Sequence, residues 1–260
     1  YFVPLGNRTW LSSTGISTDL IHELDWWQTR DYAPSDFNFT PSPSPSTSAP
    51  TQTTLRFTCL PAQHNSGRTG ADSNRSLWCG WAISQLSHST DESSASTSNS
   101  HGTIYHAGDT GYRRSPSSPP CPIFPEIAST LPPIDLAFLP IWRGGTLGFI
   151  SNLGLRLNHE DVPGTFHASP KDAVDIHVDV QSRNSVAVHF GTFVGAEIET
   201  HEAVIEFAEA CKERGVRSLD GEEEGKEEEE EEEEENGGRG KAEHGRAGVV
   251  DIGESVVIQI

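Results

Sequence analysis

The chain has 260 residues, 34% of them hydrophobic, and a mean hydropathy of −0.48; this is polar for one compact domain of that length and predicts that part of the chain stays outside any core. Most of its formal charge of −20 lies in one stretch, since residues 220–235 hold 13 acidic residues and one lysine, a net −12 that leaves about −8 for the rest, with no basic stripe to meet nucleic acid. No run of 18 apolar residues exists to span a bilayer, and the first residues lack the basic start and apolar centre of a signal peptide.

The chain opens YFVPLG and contains no methionine, which leads us to expect a fragment, a processed product or a partial gene product. Three segments rich in Ser, Pro and Thr, about 34–54, 85–101 and 113–122, read as disordered surface insertions. Between them, LRFTCLPAQH predicts a strand ending at His64 and SLWCGWAI a strand of alternating large apolar residues. GTIYHAGD predicts a strand ending at Asp109, and IDLAFLPI a buried strand closed by Pro140. The long, Gly-rich stretch 142–161 reads either as a lipid-facing helix or lid, or as a packed helix. SPKDAVDIHVDVQ carries Ser169 as a cap, Pro170 at the first helical position and Asp172 in the first turn, which predicts a helix. SVAVHFGTF predicts a strand with His189 near its end. THEAVIEFAEACKERG places apolar residues at 203, 204, 207, 208 and 211, a helical stripe closed by Gly215. The acidic low-complexity insertion covers 220–248, and 249–260 is expected to return as a terminal strand of the domain that occupies 1–219. Alternating strands and helices give a layered α/β fold. Cys59, Cys79, Cys121 and Cys211 match no zinc spacing and read as free thiols of an intracellular protein.

His64, Asp109 and His189 each fall at or just past a predicted strand end, where α/β sheets gather ligand sites. Imidazole and carboxylate are the usual nitrogen and oxygen donors to zinc. Gly108, Gly111 and Gly191 beside them are expected to let the backbone pass close to an ion or substrate. On residue types alone, each of the 11 histidines is better read as structural or surface. Arg68 has two readings of equal weight, a planar fork on a phosphate oxygen or a loop-anchoring salt bridge. Trp26 and Trp27 read as core residues in preference to an acyl groove.

The segments PAQHNSGR, DSNRSLWCGW, AGDTGY, DLAFLPI, HASPKDAVDIHVDV and SVAVHFGTF follow one another in that order, with YFVPLG and ELDWW ahead of them. Together they resemble the metallo-β-lactamase-fold hydrolases of the N-acylphosphatidylethanolamine-hydrolysing phospholipase D type. The resemblance implies an αββα sandwich with a two-zinc site (Zn2+) at one sheet edge, and hydrolysis of that phospholipid to N-acylethanolamine and phosphatidic acid. It implies that His64 ligates one zinc, that Asp109 bridges both and that His189 ligates the second. It further implies that His167 contacts the phosphate or serves as general acid. His177 also matches, although a structurally bonded histidine is the better reading there. A cytoplasmic protein, in peripheral contact with membranes, is expected.

The family's leading metal motif, HxHxDH, is absent, and in the family it lies ahead of the segment that YFVPLG matches. The chain is therefore expected to be a C-terminal portion, incomplete at the N-terminus, with part of the ligand set and one sheet face uncovered. Two alternatives stand beside the phosphodiesterase. One is an inactive, metal-poor fragment that is at most a binding or interaction protein. The other is a related metallo-hydrolase acting on another ester or a lactone.

Overall fold

The computed structural model describes residues 1–33, 52–67, 71–88, 99–115, 117–142, 167–191, 197–219 and 244–258. Near the start, β1 (Phe2–Pro4) and β2 (His22–Leu24) pair in parallel as a small ribbon around the short helix α1 (Arg8–Ser12). A mixed eight-stranded sheet follows, built from β3 (Thr29–Tyr32), β4 (Gln52–Leu60), β5 (Gly80–His88), β6 (Asn99–His106), β7 (Leu136–Pro140), β8 (Asn184–Val188), β9 (Arg217–Ser218) and β10 (Arg246–Gly248). Its order is β3-β4-β5-β6-β7-β8-β10-β9. Helices α2 (Ile123–Thr130), α3 (Pro170–Asp179) and α4 (Glu197–Arg214) complete the described α/β architecture.

Strand direction places the chemistry. β5 is antiparallel to both β4 and β6, while β6, β7 and β8 are mutually parallel neighbours. β4, β6, β7 and β8 therefore point the same way, and their carboxyl ends share one edge of the sheet, the usual place for a ligand site in an open sheet.

One face of the sheet contributes Tyr105, Ala137, Leu139 and Ala187 to a core shared with Phe124 and Ile127 of α2, Val174 and Ile176 of α3 and Phe207 of α4. Each such large side chain, fully removed from water, contributes about 1.5–3 kcal/mol. In α4 the buried positions are Ala203, Phe207, Ala210 and Cys211, so the apolar stripe is rotated slightly from the predicted one and Ala208 is exposed. α3 has the predicted start. Ser169 Oγ accepts from the Asp172 N–H, and the Asp172 carboxylate accepts from the Ser169 N–H, with Pro170 in the first turn. On the opposite sheet face, Phe2 of the ribbon stacks on Phe57 with ring centroids 4.3 Å apart. Farther along that face, Ile104 is 42% exposed between its register partners Ile83 and Leu136.

Several boundaries differ from the expected ones. β4 stops at Leu60, not His64, because Pro61 has no N–H to continue the ladder. β5 runs through 85–88 and β6 begins at Asn99, inside the segment read as an insertion, since Leu86 is buried and the register continues through Leu86↔Ser100 and Ser87↔Asn99. Much of 113–122 is likewise ordered: Cys121 N–H donates to the Tyr112 carbonyl, and Arg113 is bonded to α3. Helix α2 has no sequence forecast because Pro125 interrupts its pattern, yet proline is tolerated in a first turn. The last strand is Arg246–Gly248. Residues 249–258 form no strand, and Ile252 and Val257 there are exposed, so no apolar face is gained by pairing. The described cysteines are all free thiols. The bulk of 34–54, 143–166 and 220–243 lies outside the described residues.

Candidate metal centre

Asp109 follows β6, His64 follows β4, His189 follows β8, and His167 lies just ahead of α3. These four residues, 125 positions apart from first to last in sequence, converge at the shared strand edge. His167 Nδ1 is 2.7 Å from Asp109 Oδ1, His64 Nε2 is 3.2 Å from Asp109 Oδ2, and His189 Nε2 is 3.6 Å from Asp109 Oδ1. Donor atoms of His64, Asp109 and His167 all lie within 4.8 Å of one another. His167, expected beside the phosphate, is thus the imidazole nearest the carboxylate, with His189 in an outer position. Arg68 lies outside the described residues. The Asp109 and His189 side chains are 36% and 43% exposed, which leaves the cluster open to a substrate.

Electrostatics follow from this packing. Burial opposes the Asp109 charge, but hydrogen bonds from His167 and His64 outweigh it and hold the carboxyl well below the usual carboxylate range. The same bond to Asp109, opposed by burial, raises His64 above its ordinary value. His106, at the end of β6, is lowered by burial and by the nearby His189.

Thr110 is the residue that ties the loops together, and local sequence reading does not single it out. Its hydroxyl accepts from the Gln63 N–H at 2.9 Å and donates to the Gly111 carbonyl at 2.9 Å. Its own carbonyl accepts from the Ala168 N–H at 2.7 Å, and Gly111 N–H donates to the Gln63 carbonyl at 2.7 Å. The neighbours of His64 and His167 are therefore both bonded to the residue after Asp109. Thr110 is fully buried, so Thr110→Val, which keeps the shape and loses the hydroxyl, leaves an amide donor without its acceptor. Chemical denaturation is expected to show a loss of about 1–3 kcal/mol.

Two of the three glycines beside the site pack closely against other parts of the protein. Gly108 has a φ of +71°, and a Cβ on it would lie 2.8 Å from the Cys79 carbonyl oxygen. Its small size lets the Asp109 loop press against the chain entering β5. At Gly191 the near neighbour is Thr200 of α4. His189 itself has a φ of +60°, a left-handed conformation uncommon for a side-chain-bearing residue and often found at functional positions.

Trp142, just past β7, completes the wall. Its ring meets His167 edge-on at 4.2 Å and lies 6.5 Å from His189, while the His167 and His189 rings are nearly parallel at 5.8 Å. Trp26 donates its indole N–H to the Trp78 carbonyl, and Trp27 packs against the core. His177 is fully buried, hydrogen-bonded to the Ser185 hydroxyl and the His244 carbonyl, as a structural histidine should be.

The sequence profile of a family described as "Beta-lactamase superfamily domain" matches residues 2–190. The chain is 28% identical over 197 residues to the N-acyl-phosphatidylethanolamine-hydrolyzing phospholipase D 1 of Caenorhabditis elegans, an alignment covering 74% of this chain and 41% of that protein. Identity is 26% over 195 residues to the mitochondrial N-acyl-phosphatidylethanolamine-hydrolyzing phospholipase D of Saccharomyces cerevisiae, covering 75% of this chain and 31% of that one. Among solved structures, the metallo-beta-lactamase fold protein YhfI of Bacillus subtilis aligns at a TM-score of 0.38 and 11% identity, over 96% of this chain and 63% of that one. The chain thus spans 41% or less of the length of these two curated relatives.

Proposed function

The chain belongs to the beta-lactamase superfamily, and from that premise we propose that it is the site-bearing part of a zinc-dependent phosphodiesterase of the phospholipase D type. Its substrate in this reading is N-acylphosphatidylethanolamine, and its products are N-acylethanolamine and phosphatidic acid. The observation that carries the reading is the Asp109 carboxylate gripped by imidazoles from three separate segments. Two relatives named for hydrolysis of this lipid support the choice of substrate.

The donor set fits the metal. His64, His167 and Asp109 bring nitrogen and oxygen donors of the kind zinc prefers within 4.8 Å of one another, and His189 Nε2 stands 3.6 Å from the same carboxylate. His64, Asp109 and His189 would hold the metal, with His167 against the same carboxylate. When bound, zinc supplies Lewis acidity towards a phosphoryl oxygen. Asp109 stays ionised and brings the negative charge that such a cation needs. His167 donates its Nδ1 proton to Asp109, because an ionised carboxylate can only accept. Only as the doubly protonated imidazolium does His167 carry a second proton, on Nε2, and that is the proton it would give to the departing alkoxide before returning to the neutral form with Nδ1–H still on Asp109; the Trp142 ring limits how far the imidazole can turn. Within the reading, the protein is cytoplasmic and meets its lipid at the membrane surface. No described helix is long and apolar enough to cross a membrane.

The test is a substrate panel run on zinc-loaded protein: N-acylphosphatidylethanolamine in mixed micelles, small lactones and thioesters. Release of N-acylethanolamine, with His167→Gln lowering it at least about 100-fold, is the expected result. Turnover of lactones or thioesters without the phospholipid would overturn the substrate and keep the metallo-hydrolase. Absence of retained zinc and of every turnover would leave a binding protein instead.

A further inference from the structure

Asp109 sits in a loop that is anchored on both flanks. On the far flank, Thr110 and Gly111 are bonded to Gln63 and Ala168. On the near flank the anchor is a side chain, His106, whose Nδ1 accepts from the Gly108 N–H at 3.0 Å.

The strand offers that amide no partner. β6 pairs with β7 as far as His106↔Phe138, and the Ala107 N–H still donates to the Phe138 carbonyl at 3.0 Å. One residue on, at Gly108, φ is +71° and the amide has left the ladder for the imidazole two positions back. A ring nitrogen that accepts carries no proton, so the neutral His106 ring has its proton on Nε2. Packing holds the ring in this pose. Strand alternation puts His106 with Ile104 on the face away from the core, and there its ring stacks on Phe138, with centroids 5.8 Å apart and planes 30° apart.

The carboxylate that follows has little tolerance. Asp109 Oδ1 lies 2.7 Å from His167 and Oδ2 lies 3.2 Å from His64, so each oxygen is committed to a different imidazole. Constellations of this kind need their members held to within about 0.5 Å. Glycine ahead of the carboxylate works against that, because it has access to more backbone conformations than any other residue. A hydrogen bond on the Gly108 amide selects one of them.

We propose that His106 is a positioning residue for the candidate metal centre: by holding the Gly108 N–H it fixes the Asp109 carboxylate between His64 and His167. Its effect on metal rests on the zinc reading above, whereas its effect on the loop does not.

The test compares the parent chain with two variants. His106→Phe keeps an aromatic ring beside Phe138 and has no acceptor, and His106→Asn offers a side-chain oxygen in place of Nδ1. The first readout needs no metal. Long-range proton–nitrogen correlation spectra of the full chain, freed of metal by a chelator and held above the ordinary imidazole pKa, report which ring nitrogens carry protons. The parent should show a bare Nδ1 and a protonated Nε2 on His106, and this measurement decides even where a variant fails to fold. In His106→Phe, the ring-nitrogen resonances of His64 and His167 should move and exchange of the Gly108 amide should quicken at least about tenfold. In His106→Asn both should return towards the parent. The second readout is zinc affinity, measured by competition with a chromophoric chelator. His106→Phe should weaken it roughly 10–100-fold, as loss of an outer partner of a metal site does, and His106→Asn should recover most of that loss. A parent that holds no zinc overturns the zinc reading, while the spectra still decide the role of His106. The proposal fails if Nδ1 of His106 carries the proton in the parent, if His106→Phe leaves the His64 and His167 resonances in place, if it binds zinc as tightly as a zinc-binding parent, or if His106→Asn behaves like His106→Phe.

Discussion

In the proposed zinc phosphodiesterase, Asp109→Asn is expected to lower zinc retention at least about 100-fold and phosphodiester turnover about 1000-fold or more. The exchange keeps the size of the side chain and removes its charge. The carboxylate now accepts from His167 at 2.7 Å and stands 3.2 Å from His64 and 3.6 Å from His189. An amide offers one oxygen and one NH2 group, so at most one imidazole keeps a good acceptor and another faces a donor. With the anion gone, a divalent cation would meet only neutral nitrogen ligands. Losing even an outer partner of a metal site costs about 10–100-fold in affinity, so losing the central carboxylate should cost at least about 100-fold. Activity should fall about 1000-fold or more, because Lewis-acid assistance goes with the ion. Mass spectrometry of the metal content measures the first effect and N-acylethanolamine release the second, with circular dichroism to confirm the fold. Unchanged zinc in a folded Asp109→Asn protein would remove Asp109 from the centre altogether.

The strands beneath the site were legible because each carries an apolar run with its own punctuation. IDLAFLPI ends on Pro140, and GTIYHAGD ends in a tight glycine loop, and both form central strands of the sheet. His64, Asp109 and His189 could be grouped before any coordinates because each falls at or just past a predicted strand end; that β4, β6 and β8 run in one direction, which brings those ends to one edge, comes from the pairing. What stayed hidden depends on contacts between distant segments. Trp142 stands on His167 only because β7 lies beside β8. Thr110 binds Gln63 and Ala168 through a hydroxyl and a carbonyl that no periodicity marks. The close approach of Gly108 to the Cys79 carbonyl, set by the β5–β6 pairing, was equally invisible in the sequence. Arg113 sat in a Ser- and Pro-rich stretch whose composition concealed its partners in α3.

Those partners set the second large effect. Arg113 Nε donates to Asp172 at 2.7 Å, and its Nη2 is bonded to Asp175, which also accepts from Arg214 at 2.7 Å. The guanidinium also lies over the Tyr112 ring, 4.6 Å from its centroid. Both Asp172 and Asp175 are buried, so Arg113→Ala leaves two carboxylates inside with one cation between them. Breaking a buried pair from one side typically costs about 3–5 kcal/mol; with Arg214 still on Asp175, a loss near 3 kcal/mol is expected. The pH dependence distinguishes this cause from simple loss of packing. Burial raises Asp172 above its ordinary value, and Ser169 and Arg113 pull it back only partly. A carboxyl raised in the folded state favours folding when protonated, and that contribution disappears as pH rises through its folded pKa. Removing Arg113 raises it further, so the deficit of the variant should be greatest near neutral pH and should shrink as the buffer is taken down towards pH 4. Adding Asp172→Asn to Arg113→Ala should recover part of the loss at neutral pH. Denaturation midpoints across that range measure both effects. A deficit that is the same at every pH, and that Asp172→Asn does not relieve, would mean that Arg113 acts through its stacking on Tyr112 and not through its charge.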